Sequence, residues 1–220
     1  MKATLPKRAV LFDLDGTLID TAPDMAGALN HILLEEDMPA LSLELIRPHV
    51  SRGGLALIHL GFAGHRNEQE IEALRVRFLD YYMHHIAQKS ALFTGFEAVL
   101  ASLEKDAIAW GVVTNKPGWL TDPLMQALNL SQRSAVTISG DSTHHKKPHP
   151  LPLITAARLI GIPCEECVYI GDDLRDIQAG NAANMTTIIA EYGYIVDNSD
   201  FASWQADASI THPQQILDLI

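Results

Sequence analysis

The sequence predicts a doubly wound α/β fold: a parallel sheet, Rossmann-like in its layering, with helices on both faces and a helical segment inserted after its first strand. Apolar, β-branched runs recur along the chain, and from residue 96 onward stretches of helical periodicity separate them. Continuous apolar strands divided by helices mark a sheet buried on both faces. Between the first strand and residue 91 the pattern is helical only, which divides the chain into a core of residues 1–19 and 91–220 and an insert of residues 20–90.

Ala9-Val10-Leu11-Phe12 is the first strand, apolar at every position as a doubly covered strand must be. It runs directly into Asp13-Leu14-Asp15-Gly16-Thr17. Within the insert, Ile71, Leu74, Phe78 and Leu79 recur at helical spacing with charges between them. Beyond it, Phe96, Val99, Leu100 and Leu103 form one helix face, and residues 108–113 read as a buried strand. A helix over 120–128, a strand at Ala135-Val136-Thr137-Ile138, a helix over 151–160 and a strand at Cys167-Val168-Tyr169-Ile170 follow. A helix over 174–183 and the strand Thr186-Thr187-Ile188-Ile189 complete the alternation, and Asn184, a residue that tolerates left-handed backbone, closes the helix before that strand. Residues 139–152 form a polar loop whose His144-His145-Lys146-Lys147-Pro148 is the most basic spot of an acidic chain.

Composition narrows the function. The 220 residues are 47% hydrophobic with a formal charge of −11, so the chain buries a substantial core and offers no basic stripe to a nucleic acid or an anionic membrane. No stretch approaches the roughly 20 apolar residues of a membrane helix, and no signal-peptide pattern is present, which makes the cytosol the expected location. Cys164 and Cys167 form a C-x-x-C without the further ligands that zinc requires, and read as structural thiols. His84, His85, His144, His145 and His149 read as solvated. The expected partner is a small molecule, and the expected assembly a monomer or small homo-oligomer.

The chemistry sits at strand ends. Asp13 and Asp15 follow the first strand, and Gly171-Asp172-Asp173-Leu174-Arg175-Asp176 follows the strand at 167–170. In a doubly wound sheet ligands bind beyond the carboxyl ends of the strands, so both clusters fall on the ligand-binding edge. Unit charges about 4 Å apart repel by roughly 4 kcal/mol at an effective dielectric of about 20. Carboxylates brought together there call for a hard divalent cation, and oxygen-only ligands suit Mg2+.

Four segments, Asp13-Leu14-Asp15-Gly16-Thr17, Val112-Val113-Thr114-Asn115, Lys147-Pro148 and Gly171–Asp176, resemble in order and spacing the four motifs of the haloacid dehalogenase superfamily, specifically its phosphatases. At the level of branch the chain resembles the phosphoglycolate phosphatases, and residues 110–117, 171–177 and 192–195 are similar to N-acetylmuramic acid 6-phosphate phosphatases. The resemblance implies a Mg2+-dependent phosphomonoester hydrolase that works through an aspartyl-phosphate. Asp13 would be the nucleophile and Asp15 the acid and base, a reasonable pairing because alternate residues of an extended segment point the same way. Thr114, Asn115 and Lys147 would hold the phosphoryl group, with Lys146 as the other lysine within reach. Mg2+ would be held by Asp13, the backbone carbonyl of Asp15, and Asp172, while Asp173 and Asp176 both match variants of the remaining ligand.

The insert would choose the substrate. In Ser51-Arg52-Gly53-Gly54 the glycines allow close backbone approach, and Arg52 is placed to pair with a substrate carboxylate. Both 2-phosphoglycolate and N-acetylmuramic acid 6-phosphate carry one; the Arg between Ser and Gly departs from the Ser-Gly-Gly expected of muramate enzymes and leaves the two open. Two other readings share part of the pattern. A phosphotransfer mutase of the β-phosphoglucomutase type would use the same aspartate pair, and a non-catalytic phosphate-binding protein would need only the cradle. Asp20 and Asp24, at the start of the insert, read as capping or solvated groups.

Overall fold

The computed structural model describes residues 7–62, 64, 66–195 and 200–220. Strand β1 (Ala9–Phe12) is buried at all four positions, as its unbroken apolar run requires. After β2 (Ile19–Asp20) the chain is helical through α1 (Ala22–Glu35), α2 (Leu43–Ile46), α3 (Gly54–Phe62) and α4 (Glu68–His84), and it returns at β3 (Ala91–Leu92). Then come α5 (Phe96–Lys105), β4 (Ala109–Val113), α6 (Gly118–Ala127), β5 (Thr137–Ile138) and α7 (Leu151–Ile160). The chain ends with β6 (Cys167–Gly171), α8 (Leu174–Ala182), β7 (Thr186–Ala190), α9 (Phe201–Trp204) and β8 (Ala208–Ile210).

Six strands form one parallel sheet in the order β5-β4-β1-β6-β7-β8. The chain first extends the sheet to one side of β1 and then to the other, so a crevice opens beyond the carboxyl end of β1, where ligands of such sheets bind. Register does the rest. Phe12 pairs with Val112 on one side and Ile170 on the other, which brings Asp13, Thr114 and Asp172 to the same edge. At that edge Gly16 turns the chain with φ +87, a left-handed conformation that only glycine adopts without cost. Asn184, at φ +59, takes the left-handed turn after α8.

The insert is tied off at its base. β2 and β3 pair antiparallel, and the carboxylate of buried Asp24 accepts hydrogen bonds from the Lys89 and Ser90 backbone N–H groups (2.9 and 2.8 Å) and the Ser90 hydroxyl (2.8 Å). Asp24 thus joins the first helix of the insert to its exit. Along α4, Ile71, Leu74 and Phe78 are buried while Leu79 is half-buried. Their cluster is continuous with Val10 and Phe12 of the sheet. Asn67 begins α4 with a capping box to Glu70, which satisfies two orphan N–H groups.

Three features differ from the sequence reading, the first being β2, a two-residue strand where only helix is expected. The strand expected over 135–138 is reduced to Thr137–Ile138 at the sheet edge, where the Ser134 hydroxyl donates to Val136 O at 2.8 Å. β8 has no counterpart in the reading, because three residues among polar neighbours give too short an alternation to register. Among the described residues no helix is long and apolar enough to cross a membrane.

Candidate active site

Asp13 leaves β1 with its backbone N–H donating to Ile170 O at 2.9 Å. Its Oδ1 accepts from the Leu14 backbone N–H (2.7 Å) and faces Lys147 Nζ (2.8 Å). Lys147 is wholly buried, and the same ammonium donates to Asp176 Oδ1 (2.7 Å) and to the Tyr169 hydroxyl (2.8 Å), which itself donates to Val113 O (2.7 Å). Burial alone would lower the Lys147 pKa, but the charges of Asp13 and Asp176 outweigh it and raise the value. The lysine remains a fixed positive charge.

Asp172 follows β6. Its Oδ1 accepts from Thr17 Oγ1 (2.8 Å), and its Oδ2 from the Tyr194 N–H (2.9 Å) and the Ser51 hydroxyl (3.2 Å). Among the described residues no cationic side chain pairs with it. Burial, then the charges of Asp13 and Asp176, hold its carboxyl well above the usual range. One oxygen each of Asp13, Asp172 and Asp176 lie within 4.8 Å of one another. An oxygen-only group of three carboxyls that share a single lysine fits a hard divalent cation. Asp13, Asp172 and Asp176 are the side chains that would hold it.

One carboxylate expected near the metal is occupied elsewhere. Asp173 caps α8: Oδ1 accepts from the Arg175 N–H (2.9 Å) and Nε (2.8 Å), and Oδ2 from Nη2 (2.8 Å). Burial pushes its carboxyl up, yet these bonds prevail and its pKa is lowered. It lies outside the acidic group because the arginine two residues on turns it away. The Asp15 side chain is also outside the group. It accepts from Thr21 Oγ1 (2.6 Å) and Lys116 Nζ (3.0 Å), and Lys116 in turn donates to the Tyr82 hydroxyl of α4 (3.1 Å). Burial opposes the Lys116 charge, but Asp15 and Tyr82 raise its pKa. Desolvation pushes the Tyr82 phenol up to about 12, with Lys116 pulling the other way.

Thr114 and Asn115 leave β4. The Thr114 hydroxyl accepts from the Lys116 N–H (3.1 Å), so its own proton remains available to an anion. The Asn115 amide is spent on a mutual pair with the Lys147 backbone, donating to its carbonyl and accepting from its N–H, both at 3.0 Å. That pair fixes the loop that carries Lys147. Asp13, Asp15, Thr114, Asn115 and Lys147 line a cleft of about 390 Å³ together with Arg52, Gly53 and Lys146. The Gly53 N–H is taken by Val50 O at 2.9 Å, whereas Arg52 and Lys146 are exposed. A larger cavity of about 650 Å³ beside α6 and β5, lined by Asp122, Gln126 and Asn129 among others, holds none of these groups.

Sequence reasoning passed over Lys116, Thr17, Tyr169, Tyr194 and Tyr82. Thr17 stands inside the first motif, Lys116 in the segment 110–117, and Tyr194 in the segment 192–195. Tyr169 and Tyr82 carry no local signal, since each occupies a position that a strand or helix interior fills equally well with an apolar residue.

Known proteins resemble this chain over nearly its whole length. The family model described as haloacid dehalogenase-like hydrolase matches residues 10–190. A phosphoglycolate phosphatase of Xanthomonas campestris pv. campestris is 45% identical over 209 residues, 95% of this chain and 94% of the relative. An N-acetylmuramic acid 6-phosphate phosphatase of Pseudomonas putida is 41% identical over 213 residues, 97% of this chain and 96% of the relative. The crystal structure of a predicted phosphoglycolate phosphatase from Haemophilus somnus 129pt superposes with a TM-score of 0.86 at 25% identity, covering 99% of both chains.

Proposed function

This chain belongs to the haloacid dehalogenase-like hydrolases, and we propose that it is a Mg2+-dependent phosphatase that hydrolyses a small, carboxylate-bearing phosphate monoester through an aspartyl-phosphate on Asp13. The observation that carries this reading is a division of labour between two aspartates, each with its own buried lysine. Asp13 has one oxygen held by Lys147 and the Leu14 N–H, which leaves Oδ2 free to attack phosphorus. Asp15, held by Lys116 and Thr21, stands in the same cleft with Oδ2 the less engaged oxygen and able to carry a proton.

In the first step Asp13 Oδ2 forms a bond to phosphorus, the ester P–O bond breaks, and the leaving oxygen takes a proton from Asp15. Asp15 then removes a proton from water, whose oxygen bonds to phosphorus as the Asp13–P bond breaks and the carboxylate is regenerated. Inorganic phosphate leaves. The Lys147 ammonium and the Thr114 hydroxyl hold the equatorial oxygens, with Asn115 positioning Lys147, and fixed donors of this kind act where charge builds in the transition state. Asp13, Asp172 and Asp176 would hold a divalent ion, whose chemistry there would be to neutralise negative charge on the phosphoryl group. The insert acts as a cap that excludes water in one step and admits it in the other. Both relatives' names contain an acid whose carboxylate sits on the leaving alcohol, and Arg52 in the cleft wall suits that group. Two free cysteines accord with a cytosolic setting.

Wild type and Asp13→Asn assayed on 2-phosphoglycolate and N-acetylmuramic acid 6-phosphate, with Mg2+ and after chelation, test this. Phosphate release that depends on Mg2+, together with a trapped phospho-protein that Asp13→Asn does not form, is expected. Isomerised sugar phosphate in place of free phosphate refutes hydrolysis. Turnover by Asp13→Asn at the wild-type rate refutes the nucleophile.

A further inference from the structure

Six cationic side chains line the cleft: Arg52, Arg75, Lys116, Lys146, Lys147 and Arg175. Three are committed to carboxylates of the core: Lys116 to Asp15, Lys147 to Asp13 and Asp176, and Arg175 to Asp173. Arg52 and Lys146 are exposed and have no side-chain partner among the described residues. Arg75 differs from both groups. Its partner, Glu72, lies one turn away on the same helix and binds only one edge of the guanidinium, with Nε donating to Oε2 at 2.7 Å and Nη2 to Oε1. Nη1 has no partner among the described residues, and the side chain, 33% exposed, lines the cleft.

The position of Arg75 on α4 gives that free edge a meaning. Arg75, Leu79 and Tyr82 stand at i, i+4 and i+7, one stripe of the helix. Arg75 and Leu79 line the cleft, and the Tyr82 hydroxyl accepts from Lys116, the lysine on Asp15. One end of the stripe is thereby docked on the acid and base, and Arg75 lies about 10 Å further along the helix axis. A group meeting Arg75 is carried on the alcohol side of the ester and away from phosphorus. Glu72 restrains the guanidinium, so binding there costs less of the rotamer entropy than ordering Arg52 requires. Glu72 also cancels one unit of local charge, which favours a monoanion over a dianionic second phosphate.

We propose that Arg75, oriented by Glu72, is a specificity-determining residue that binds the carboxylate of the leaving group through Nη1. This rests on the phosphatase reading above and assigns the residue that recognises the substrate class.

The test uses matched esters: N-acetylmuramic acid 6-phosphate against N-acetylglucosamine 6-phosphate, which lacks the lactyl carboxylate, and 2-phosphoglycolate against ethyl phosphate. The readout is the ratio of kcat/KM within each pair for wild type, Arg75→Ala, Arg75→Lys and Glu72→Gln. Charged hydrogen bonds contribute about 1.5–3 kcal/mol, so Arg75→Ala is expected to shrink the ratio in at least one pair by about tenfold or more, through KM. Arg75→Lys should recover part of it, and Glu72→Gln should lower it severalfold by releasing the guanidinium. Equal losses on both members of both pairs, or a fall in kcat alone, overturn the assignment. If the wild type turns over none of the four esters, the phosphatase reading fails and takes this inference with it; an active wild type whose ratios survive Arg75→Ala refutes only the role of Arg75.

Discussion

The floor and the wall of the cleft are built on opposite electrostatic plans. On the floor, formed by the strand ends, each lysine is locked to a carboxylate from another segment: Lys147 between Asp13 and Asp176, Lys116 against Asp15. These side chains are nearly all buried, and their hydrogen bonds are in place before any ligand arrives. On the wall, formed by the insert, Arg52 is exposed without a side-chain partner among the described residues, and Arg75 is half-buried with one edge free. Preorganised groups act on the transition state, whereas open ones act on binding. Substitutions on the floor should therefore lower kcat and those on the wall should raise KM.

The largest expected effect is that of Asp15→Asn. An amide cannot deliver or accept the proton, so turnover should fall by about 10²–10⁴-fold, the usual contribution of general acid and base catalysis. Inorganic phosphate should still bind as an inhibitor with a similar constant, because Thr114 and Lys147 are untouched. Near-normal turnover by this variant would remove Asp15 from the chemistry and break the contrast on its floor side.

How much of this was readable beforehand differs between the two regions for the same reason. Floor residues follow apolar strands at fixed offsets, and an aspartate after a buried run is costly enough to mark itself, as Asp13 and Asp172 do. The register Phe12–Val112 and Phe12–Ile170 then follows from parallel strands of similar length. Lys116 was hidden because the turn after β4 also contains Thr114 and Asn115, and sequence alone does not say which of three polar neighbours turns inward. On the wall, Arg52 was visible beside paired glycines. Arg75 was not: on an amphipathic helix rich in charges, only the packing of α4 shows that the stripe through Arg75, Leu79 and Tyr82 meets the core. Asp173 misled in the other direction, since a carboxylate within a metal motif and one that caps a helix look alike until Arg175 is seen to hold it.

A second test concerns charge on the floor. Burial and the neighbouring carboxylates hold Asp172 well above its ordinary range, so in the metal-free protein this group favours its protonated form. Its contribution to stability is complete below the ordinary carboxylate pKa and is lost as pH rises through the elevated folded value. Metal-free protein should then gain stability as pH is lowered from neutral toward the carboxylate range, and saturating Mg2+ should flatten that dependence. Asp172→Asn removes the unpaired charge while its amide keeps partners: the carbonyl can face the Tyr194 N–H and Ser51, and the amide NH2 can donate to a reoriented Thr17 hydroxyl. Its melting temperature without metal should exceed that of wild type, by about 2–4 °C for each kcal/mol recovered, while the stabilisation by Mg2+ disappears. A variant that melts lower than wild type without metal and is still stabilised by Mg2+ would show that the floor charges are balanced without a cation.

The smallest expected effect separates the two wall arginines. Arg52 has no partner to hold it, so any pairing with a substrate carboxylate must first order a long side chain and then compete with water and salt. Exposed pairs of this kind contribute about 0.2–1 kcal/mol, and Arg52→Ala should raise KM for carboxylate-bearing esters by no more than about fivefold at low salt. Raising the ionic strength should erase most of that difference, since exposed charges are screened. The larger deficit of Arg75→Ala should persist, because its guanidinium is fixed by Glu72 and less exposed to solvent. A salt-insensitive Arg52 effect equal to that of Arg75 would mean that the insert carries two equivalent carboxylate sites, and that preorganisation by Glu72 does not distinguish them.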